Sequence, residues 1–403
     1  MNKKLTAFAV LTCVSGIASA SDALTVYGIL DGGVAFTNKT PTGSGTNTGS
    51  LFGYQTNGES PSIFGGKGSK DLGDGMKAGF DVEGHFLTST GTGEQWGGLF
   101  GRQANIYLSG PHGTATFGTQ YSPAVLAYAA TDPRGLKESF SGLMTWAFTQ
   151  NPLEGSTAPV SVAASASTGP AFAGNTNTQL DIFIKNALTY SVTMPMGWMS
   201  PTDGLNISAS YSFGGIAGST QANRVIALGV SYTSPLILSF AYQTENGGSY
   251  VNTAAAPNVT VVTSGTSNEK VSVGAGYVLN DQFTVKANYL DNKGKNPASG
   301  AELTHYRIIG LGVDYKASAK NTVTLAYYDG KNNDTSGDTA KTVILSDDYA
   351  LFAQLTLYGL LAQVKAGTAV SFGSSAYNGD NFNAPPVAGS SSMALQLGMK
   401  YAF

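Results

Sequence analysis

The sequence predicts an all-β chain: a closed, antiparallel transmembrane β-barrel of about sixteen strands, with one long loop folded into its lumen. Three observations predict this fold. Strand-like runs alternate apolar and polar residues, and the links between them alternate between short and long. The composition is rich in glycine and aromatic residues, with 52 Gly, 20 Tyr and 19 Phe, and only 12% of residues are charged. Sixteen strands would enclose an aqueous channel rather than a filled core.

The first twenty residues are expected to be a signal peptide that is removed. Lys3 and Lys4 form a basic start, residues 5–14 are a short apolar run, and residues 18–20 (Ala-Ser-Ala) form a cleavage site. The apolar run is too short to span a bilayer. Cys13, the only cysteine, lies inside this segment. The alternative is a lipoprotein signal, in which Cys13 would be the lipidated residue, but Thr12 before it fits that signal poorly. The barrel is then residues 21–403.

The mature chain is expected to carry a small negative charge. Without Lys3 and Lys4, 20 Lys and Arg stand against 25 Asp and Glu. We therefore expect no nucleic-acid partner. No later apolar run is long enough to form a membrane helix.

The last strand shows the alternation most clearly. Residues 392–403 place Met393, Leu395, Leu397, Met399, Tyr401 and Phe403 on one face and small or polar residues on the other. Ten more runs after residue 180 follow this pattern: 181–193, 205–213, 223–232, 236–243, 270–277, 283–289, 306–315, 322–328, 342–350 and 355–365.

The link lengths favour a membrane barrel over a soluble sandwich. Short polar links, such as 233–235 and 278–282, alternate with long links at 245–269, 290–303, 330–341 and 366–391. Outer-membrane barrels have tight turns on one side and long loops on the other. Two tyrosine girdles are predicted at the two membrane interfaces, from Tyr232, Tyr277 and Tyr315 at the short turns and Tyr242, Tyr289 and Tyr327 at the long loops.

Five runs in the first third bring the predicted total to sixteen strands. They cover residues 24–36, 62–71, 76–86, 99–109 and 114–120, and they alternate less cleanly than the later runs. A wall covered by another subunit instead of lipid would produce this pattern. An incorrectly assigned register would produce it too.

The stretch at residues 122–180 is expected to fold into the barrel and constrict the pore. It is rich in Ala, Ser, Thr, Gly and Pro, and it carries a charged cluster of Asp132, Arg134, Lys137 and Glu138. An insert of this length without secondary structure is unusual unless it is a functional loop on a rigid scaffold.

Four sequence blocks and the terminal residue carry a family resemblance. The blocks are 24–31 (LTVYGILD), 67–78 (KGSKDLGDGMKA), 100–104 (FGRQA) and 113–121 (GTATFGTQY), and the chain ends with Phe403. Together they resemble the trimeric general porins of the Gram-negative outer membrane, in their β-proteobacterial branch. The resemblance implies a homotrimer in the outer-membrane lipid, a third loop inside the pore, and passive diffusion of small hydrophilic solutes. It also implies that Phe403 is part of the signal read by the outer-membrane assembly machinery.

Two positions depart from the family pattern. The family typically has arginine two residues before the glycine at position 65, where this chain has Ile63. It typically has Gly-Arg-Gln at the end of the fifth strand, where this chain has Thr119 between Gly118 and Gln120. Those arginines would line the wall opposite the inserted loop. The resemblance therefore implies a channel that prefers anions less strongly.

Charged residues of the wall and the loop are the candidates for the pore constriction, because ion selectivity arises from charged side chains and from the bore. The wall candidates are Lys67, Lys77, Arg102 and Lys185, and the loop candidates are Asp132, Arg134, Lys137 and Glu138. The alternative for each is a solvated charge in the vestibule. Strict alternation places Arg102 on the apolar side, so that either a bulge re-aims it or it faces a subunit contact.

Two other functional classes compete with a weakly selective porin. One is an outer-membrane lipase or protease, for which His85 shares a strand face with Asp81 and Glu83 but has no nucleophile motif around it. The other is a solute-specific channel. Asp347, Asp348 and Asp380 could suggest a calcium site, but they lack its ligand loop and are interpreted as solvated acids. We therefore expect a channel in the cell outer membrane that is not an enzyme and holds no cofactor.

Overall fold

The computed structural model describes most of the chain after the expected signal peptide. The described residues are 23–42, 47–93, 98–148, 178–179, 181–196, 204–215, 220–246, 248–252, 260–264, 267–296, 299–369 and 387–403. The expected signal peptide, and residues 149–177 and 180 of the expected constriction loop, lie outside them.

Strands make up most of the described chain. They are β1 (Ala23–Thr42), β2 (Asn47–Thr56), β3 (Ser62–Gly73), β4 (Met76–Phe86), β5 (Gln103–Gly110), β6 (Gly113–Tyr121), β7 (Thr178–Gln179), β8 (Phe183–Pro195), β9 (Gly204–Ser212), β10 (Val225–Thr233), β11 (Leu236–Glu245), β12 (Gly248–Asn252), β13 (Thr260–Ser264), β14 (Ser267–Val278), β15 (Phe283–Lys295), β16 (Glu302–Ser318), β17 (Asn321–Asn332), β18 (Thr339–Phe352), β19 (Leu355–Ala366) and β20 (Ser391–Ala402). Two helices, α1 (Pro123–Thr131) and α2 (Gly142–Phe148), lie in the loop after β6. Neither described helix has the length and hydropathy needed to cross a membrane.

The strands close into an antiparallel barrel of sixteen, which confirms the predicted fold. β1 completes the ring by pairing with β20. The short β7 pairs with β8, and β12 and β13 form a separate hairpin. β2 and β3 count as one barrel strand because both pair with the same edge of β1: Gly32 faces Thr56 of β2, and Ile29 faces Ile63 of β3.

A short excursion, residues 57–61, separates β2 from β3 and is organised by Asp31. The buried Asp31 carboxylate accepts hydrogen bonds from the N–H groups of Gly58, Glu59 and Ser60 at 2.9, 3.0 and 2.9 Å, and from the Tyr358 hydroxyl at 2.7 Å. Backbone donors that leave the strand ladder are thereby satisfied within the wall.

The two faces of the barrel wall differ as the period-2 pattern predicts. The outer face exposes large apolar side chains, among them Ile309, Leu325, Val343, Leu361 and Leu397. The inner face presents small or polar residues such as Ala241, Asn288, Ala326 and Ser346, which are buried. The main buried cluster joins inner-face residues to the aromatic residues of the loop. The core of this molecule therefore lies inside the barrel, between the wall and the loop.

The predicted strand bounds in the first third were partly wrong. The half-strand β2 was not predicted, and β5 begins at Gln103 rather than at residue 99. The excursion at residues 57–61 shifts the alternation between β2 and β3, so a strict period of two cannot run through the pair. On the long-loop side the strands extend further than predicted, as β15 does to Lys295. The ladder continues there beyond the tyrosine girdle.

Candidate pore constriction

The loop after β6 begins with α1, which lies against the inner wall. The Ser122 hydroxyl caps the helix by accepting a backbone hydrogen bond at 3.2 Å, and Pro123 occupies its first turn. Small residues in the wall make this contact possible. A Cβ at Gly229 of β10 would overlap Pro123, and a Cβ at Gly274 of β14 would overlap Thr131.

Asp132 organises the turn that follows α1. Its fully buried carboxylate accepts hydrogen bonds from the N–H groups of Arg134, Leu136 and Gly142 at 3.1, 2.9 and 3.0 Å, and from the Tyr328 hydroxyl at 3.1 Å. Burial raises the pKa of the Asp132 carboxyl, and these donors act in the opposite direction. Asp132 joins the two sides of the loop to β17 and does not face the open lumen.

Arg134 lies between the loop and the wall. It is 4% exposed, and its Nη1 donates a hydrogen bond to the Ser346 Oγ of β18 at 2.6 Å. The neighbouring Pro133 sits over Gly310 and Gly312 of β16, where a Cβ would crowd the proline ring. The guanidinium is therefore directed at the wall.

Lys137 attaches the loop to acids of the wall. Its Nζ forms ion pairs with Glu59 and Asp348, and Glu59 also pairs with Lys400 of β20 at 3.2 Å. The Glu138 N–H donates to the Glu59 carbonyl at 3.1 Å. We call these five residues the loop tip. It contains two bases and three acids, and ion pairs join Lys137, Glu59, Asp348 and Lys400 into one group.

The chain returns through α2, which is held beside the start of the loop. Trp146 stacks on Tyr128 of α1 with ring centroids 5.2 Å apart, and its Nε1 donates to the Asp181 carbonyl at 3.0 Å. The Asp181 carboxylate forms an ion pair with Lys270 of β14, and both side chains are fully buried. We call Tyr128, Trp146, Asp181 and Lys270 the loop root.

A second charged group, the wall cluster, lies on β1, β3, β4 and the segment before β5. It consists of Tyr27, Lys67, Asp81, Glu83 and Arg102. The Tyr27 hydroxyl donates to Asp81 at 2.8 Å and to Glu83 at 3.0 Å, and the Arg102 Nε donates to Glu83 at 2.6 Å. The Lys67 ammonium lies 5.2 Å from the centre of the Tyr27 ring. Two bases thus face two acids.

Arg102 points into the barrel. It precedes β5, so the strand alternation does not extend to it. Its guanidinium lies 4.7 Å from the ring centre of Phe183, which belongs to the same buried cluster as Tyr128 and Trp146. The charge of Glu138 acts on Arg102, which brings the loop tip into range of the wall cluster. This arginine therefore lies on the inner side of the wall, and it departs from strict alternation because β5 begins only at Gln103.

Four predicted site residues contribute no charge to either group. Lys77 is exposed beside the turn between β3 and β4, opposite Asp71. Ile63 is 7% exposed and faces His85 in the strand register. Thr119 and Lys185 lie where the β6–β8 register shifts. Their carbonyls accept side-chain hydrogen bonds, from Asn105 at 3.1 Å and from Ser212 at 2.6 Å respectively. Thr119 pairs in register with Ala104, on the face that carries the exposed Ile106 and Phe117, so position 119 lies on the outer face and the expectation that it lines the pore is wrong.

Sequence reasoning missed most of the residues that hold the loop. Asp31, Glu59 and Lys400 were not singled out, and Asp348 was interpreted as a solvated acid. Glu59 is 78 residues from Lys137 and 341 from Lys400, so no local pattern connects them. Among the described residues, no group of three or more His, Cys, Asp or Glu could hold a metal ion.

Known proteins share this architecture. A family model for Gram-negative porins matches residues 6–369. Outer membrane porin protein 32 of Delftia acidovorans is 27% identical over 412 residues, which cover all of both chains. An outer membrane porin protein of Bordetella pertussis is 36% identical over 144 residues, or 34% of this chain and 37% of the relative.

Solved structures show the same fold. The anion-selective porin from Comamonas acidovorans superposes with a TM-score of 0.70 at 23% identity, covering 95% of this chain and all of that one. A trimer form of OmpT of Vibrio cholerae superposes with a TM-score of 0.58 at 12% identity, covering 95% of this chain and all of that one. The family model covers most of the chain, and the chain therefore belongs to the Gram-negative porins: it is an outer-membrane porin, whose barrel forms a water-filled channel for passive diffusion.

Proposed function

We propose that this porin is a weakly ion-selective channel for small hydrophilic solutes, constricted between the wall cluster and the loop of residues 122–180. The observation that carries the proposal is charge pairing. In the wall cluster Arg102 binds Glu83 at 2.6 Å, and at the loop tip Lys400 binds Glu59 at 3.2 Å. Neither group presents a row of charges of one sign to a passing ion.

Paired charges give only a weak preference between anions and cations. A single charge acts on an ion about 9 Å away by only about 0.5 kcal/mol in bulk-like water. At physiological salt the screening length is about 8 Å. An opposite charge within hydrogen-bonding distance cancels most of even this field. The neutral residue Ile63 removes one more source of positive potential. The anion-selective Comamonas acidovorans porin shares the fold, and Ile63 supports a weaker preference here.

The reversal potential in a KCl gradient across a planar bilayer tests this proposal. The wild type is expected to give a small reversal potential, and Ile63→Arg is expected to move it toward the chloride value. Because Ile63 is buried, heat-modifiable gel mobility checks that the variant folds. Thr119→Arg, on the outer face, and Lys77→Gln, at the turn, are the controls and should leave the reversal potential unchanged. A strongly chloride-selective wild type, or no shift in folded Ile63→Arg, contradicts the proposal.

We also propose that the functional unit is a homotrimer. The trimer form of Vibrio cholerae OmpT supports this by fold similarity. The break between β2 and β3 accounts for part of the irregular alternation in the first third, so that pattern alone supports a subunit contact less than the sequence suggested. Unboiled detergent gels should show a heat-labile species near three times the monomer mass, and cross-linking after mild extraction should trap the same species. A monomer under those conditions contradicts it.

The remaining proposals concern processing and chemistry. Residues 1–20 are removed, so the mature chain begins at Ser21, which intact-mass measurement tests. Phe403 is read by the assembly machinery; its N–H and carbonyl pair with Gly28 at 3.0 and 3.1 Å, closing the barrel. Deleting Phe403 should lower the folded fraction in the outer membrane.

The channel has no catalytic role. His85 is held by Asn57 at 2.7 Å, and lipid or peptide hydrolysis that disappears with His85→Gln would contradict this.

A further inference from the structure

We propose that Glu245 positions the loop of residues 122–180 as a neutral carboxylic acid, which shares its proton with the buried carboxylate of Asp181. Glu245 is the last residue of β11 and lies three positions beyond Tyr242 of the girdle on the long-loop side. It belongs to neither the wall cluster nor the loop tip. The proposal concerns what holds the loop, whereas the proposed function concerns the charges that the pore presents.

The space around the loop root contains more buried acid than buried base. Asp181 and Glu245 are 0% and 1% exposed, and Lys270 beside them is 0% exposed. The Lys270 ammonium forms an ion pair with the Asp181 carboxylate and donates a hydrogen bond to the Trp146 carbonyl. One ammonium balances one carboxylate. An ionised Glu245 would add a second buried negative charge, and a buried charge without a partner is strongly destabilising.

The hydrogen bonds of the two acids leave a place for one proton. Lys270 binds Oδ2 of Asp181, whereas the buried Oδ1 receives no N–H or ammonium donor from the described residues. Gln243 Nε2 donates to Glu245 Oε1 at 2.6 Å, and the carboxyl groups of Glu245 and Asp181 are within hydrogen-bonding contact of each other. Because a carboxylate can only accept, that contact requires an O–H on one of the two acids. Glu245 carries it, since Asp181 has Lys270 as its partner.

The elements packed around Glu245 supply few other charges. Within α1 and α2, Tyr128 is the one titratable side chain. In the strand register Glu245 faces Asn268 of β14, which is uncharged. On the other side of β11, Arg224 precedes the neighbouring strand β10. Lys270 is therefore the base that acts on Glu245 from within the loop root.

The environment of Glu245 favours its neutral form. Burial raises the pKa of the Glu245 carboxyl well above its ordinary value, and the negative charge of Asp181 acts in the same direction. The positive charge of Lys270 and the hydrogen bond from Gln243 oppose this rise of the pKa. The folded protein therefore keeps a proton that a glutamate of the unfolded chain loses above about pH 4.5. Because the folded state then binds more protons, the free energy of unfolding falls as the pH rises from about 4.5 to the raised pKa.

Both ends of the loop meet at this proton. Ser122, where the loop begins, donates its hydroxyl to the Gln243 side chain and its N–H to the Ile182 carbonyl, the latter at 2.8 Å. Gln243 Nε2 and the Trp146 indole both donate to the Asp181 carbonyl, at 3.2 and 3.0 Å. Without the proton, two carboxylates would face each other where the loop leaves and rejoins the wall. Loss of the proton therefore loosens the loop.

The pH dependence of unfolding tests the proposal. Urea unfolding of the folded barrel is measured from about pH 4 to about pH 9 for the wild type and for Glu245→Gln. Glutamine resembles a protonated glutamate and keeps a donor for Asp181, but it cannot ionise. Relative to this variant, the wild-type unfolding constant should rise tenfold per pH unit from about pH 4.5 up to the raised pKa. Should Glu245→Gln fold poorly, Glu245→Met also removes the ionisable group and should show the same loss of pH dependence.

Glu269→Gln is the matched control, because the Glu269 side chain is 39% exposed and pairs with Lys295 at 3.8 Å. It should retain the wild-type pH dependence. Equal pH dependence in the wild type and the Glu245 variants, or an equal loss in Glu269→Gln, overturns the proposal.

Single-channel conductance against pH tests the positioning role. Wild-type conductance should change at alkaline pH, where two carboxylates come to face each other, whereas the conductance of Glu245→Gln should stay constant. A constant wild-type conductance, or the same change in the variant, overturns the role of Glu245 in positioning the loop. The reversal potential does not enter these measurements, so this inference and the proposed weak selectivity can fail separately.

Discussion

The loop root and the loop tip hold the same loop by different physics. At the root, Lys270 and Asp181 are fully buried and lie beside the stacked rings of Tyr128 and Trp146. At the tip, the Lys137 side chain is 19% exposed. A buried charge that loses its partner costs far more than a partly solvated one, because water cannot replace the lost contact. The comparison indicates that the root positions the loop, whereas the tip sets the charge that the pore presents.

The largest expected effect is at the root. Lys270→Met removes the partner of a fully buried carboxylate, and loss of one member of a buried pair costs about 3–5 kcal/mol. The free energy of unfolding, measured by urea titration of the folded barrel, should fall by about that amount. Lys286→Met is the control, because its pair with Asp314 at 3.4 Å is partly exposed. If both substitutions lower the free energy of unfolding equally, burial does not distinguish the loop root from the partly exposed pair.

A smaller effect is expected where α1 meets the wall. A Cβ at Gly274 would overlap Thr131, so Gly274→Ala must displace the helix or the strand, at a cost of about 1–3 kcal/mol. Single-channel conductance should change along with the urea midpoint. Gly66→Ala is the control, since its nearest contacts would be 3.9 Å away. Unchanged conductance in a folded Gly274→Ala barrel would show that α1 does not border the conducting path.

The tip should show the opposite balance of effects. In Lys137→Gln, Glu59 keeps Lys400 as a partner, so the free energy of unfolding should fall by no more than about 1 kcal/mol. The loss of one positive charge should move the reversal potential toward the potassium value. Asn321→Gln, whose amide bonds Asp347 on the outer face of β18, is a control that leaves charge unchanged. A large loss of stability with no change in selectivity would place Lys137 with the root.

The smallest effect is expected at Lys77. This lysine is exposed beside the turn between β3 and β4, so Lys77→Gln should leave both the urea midpoint and the reversal potential unchanged. Screening by salt over about 8 Å isolates it from the loop. A shift as large as that of Lys137→Gln would mean that charges at the short-turn mouth also set selectivity.

The fold could be predicted from the sequence further than the site could. Alternation along β20 and the short and long links identified a sixteen-stranded barrel, because strand period and turn length are local properties. The β2 half-strand was missed, where the excursion at residues 57–61 interrupts the period. The loop charges Asp132, Arg134, Lys137 and Glu138 were identified as residues, but their different environments were not.

By itself, the sequence determined which faces of the strands are apolar, how many strands there are and which long segment is available to fill the lumen. Only the tertiary structure decided that Asp132 is a turn-forming acid, that Arg134 points at the wall and that Arg102 points inward. It also decided that Glu59, from an unrecognised break in a strand, receives Lys137 of the loop and Lys400 of the last strand. The physical reason is that alternation is written in neighbouring residues. A side chain's charge partner and exposure depend on which distant strands the closed barrel brings together.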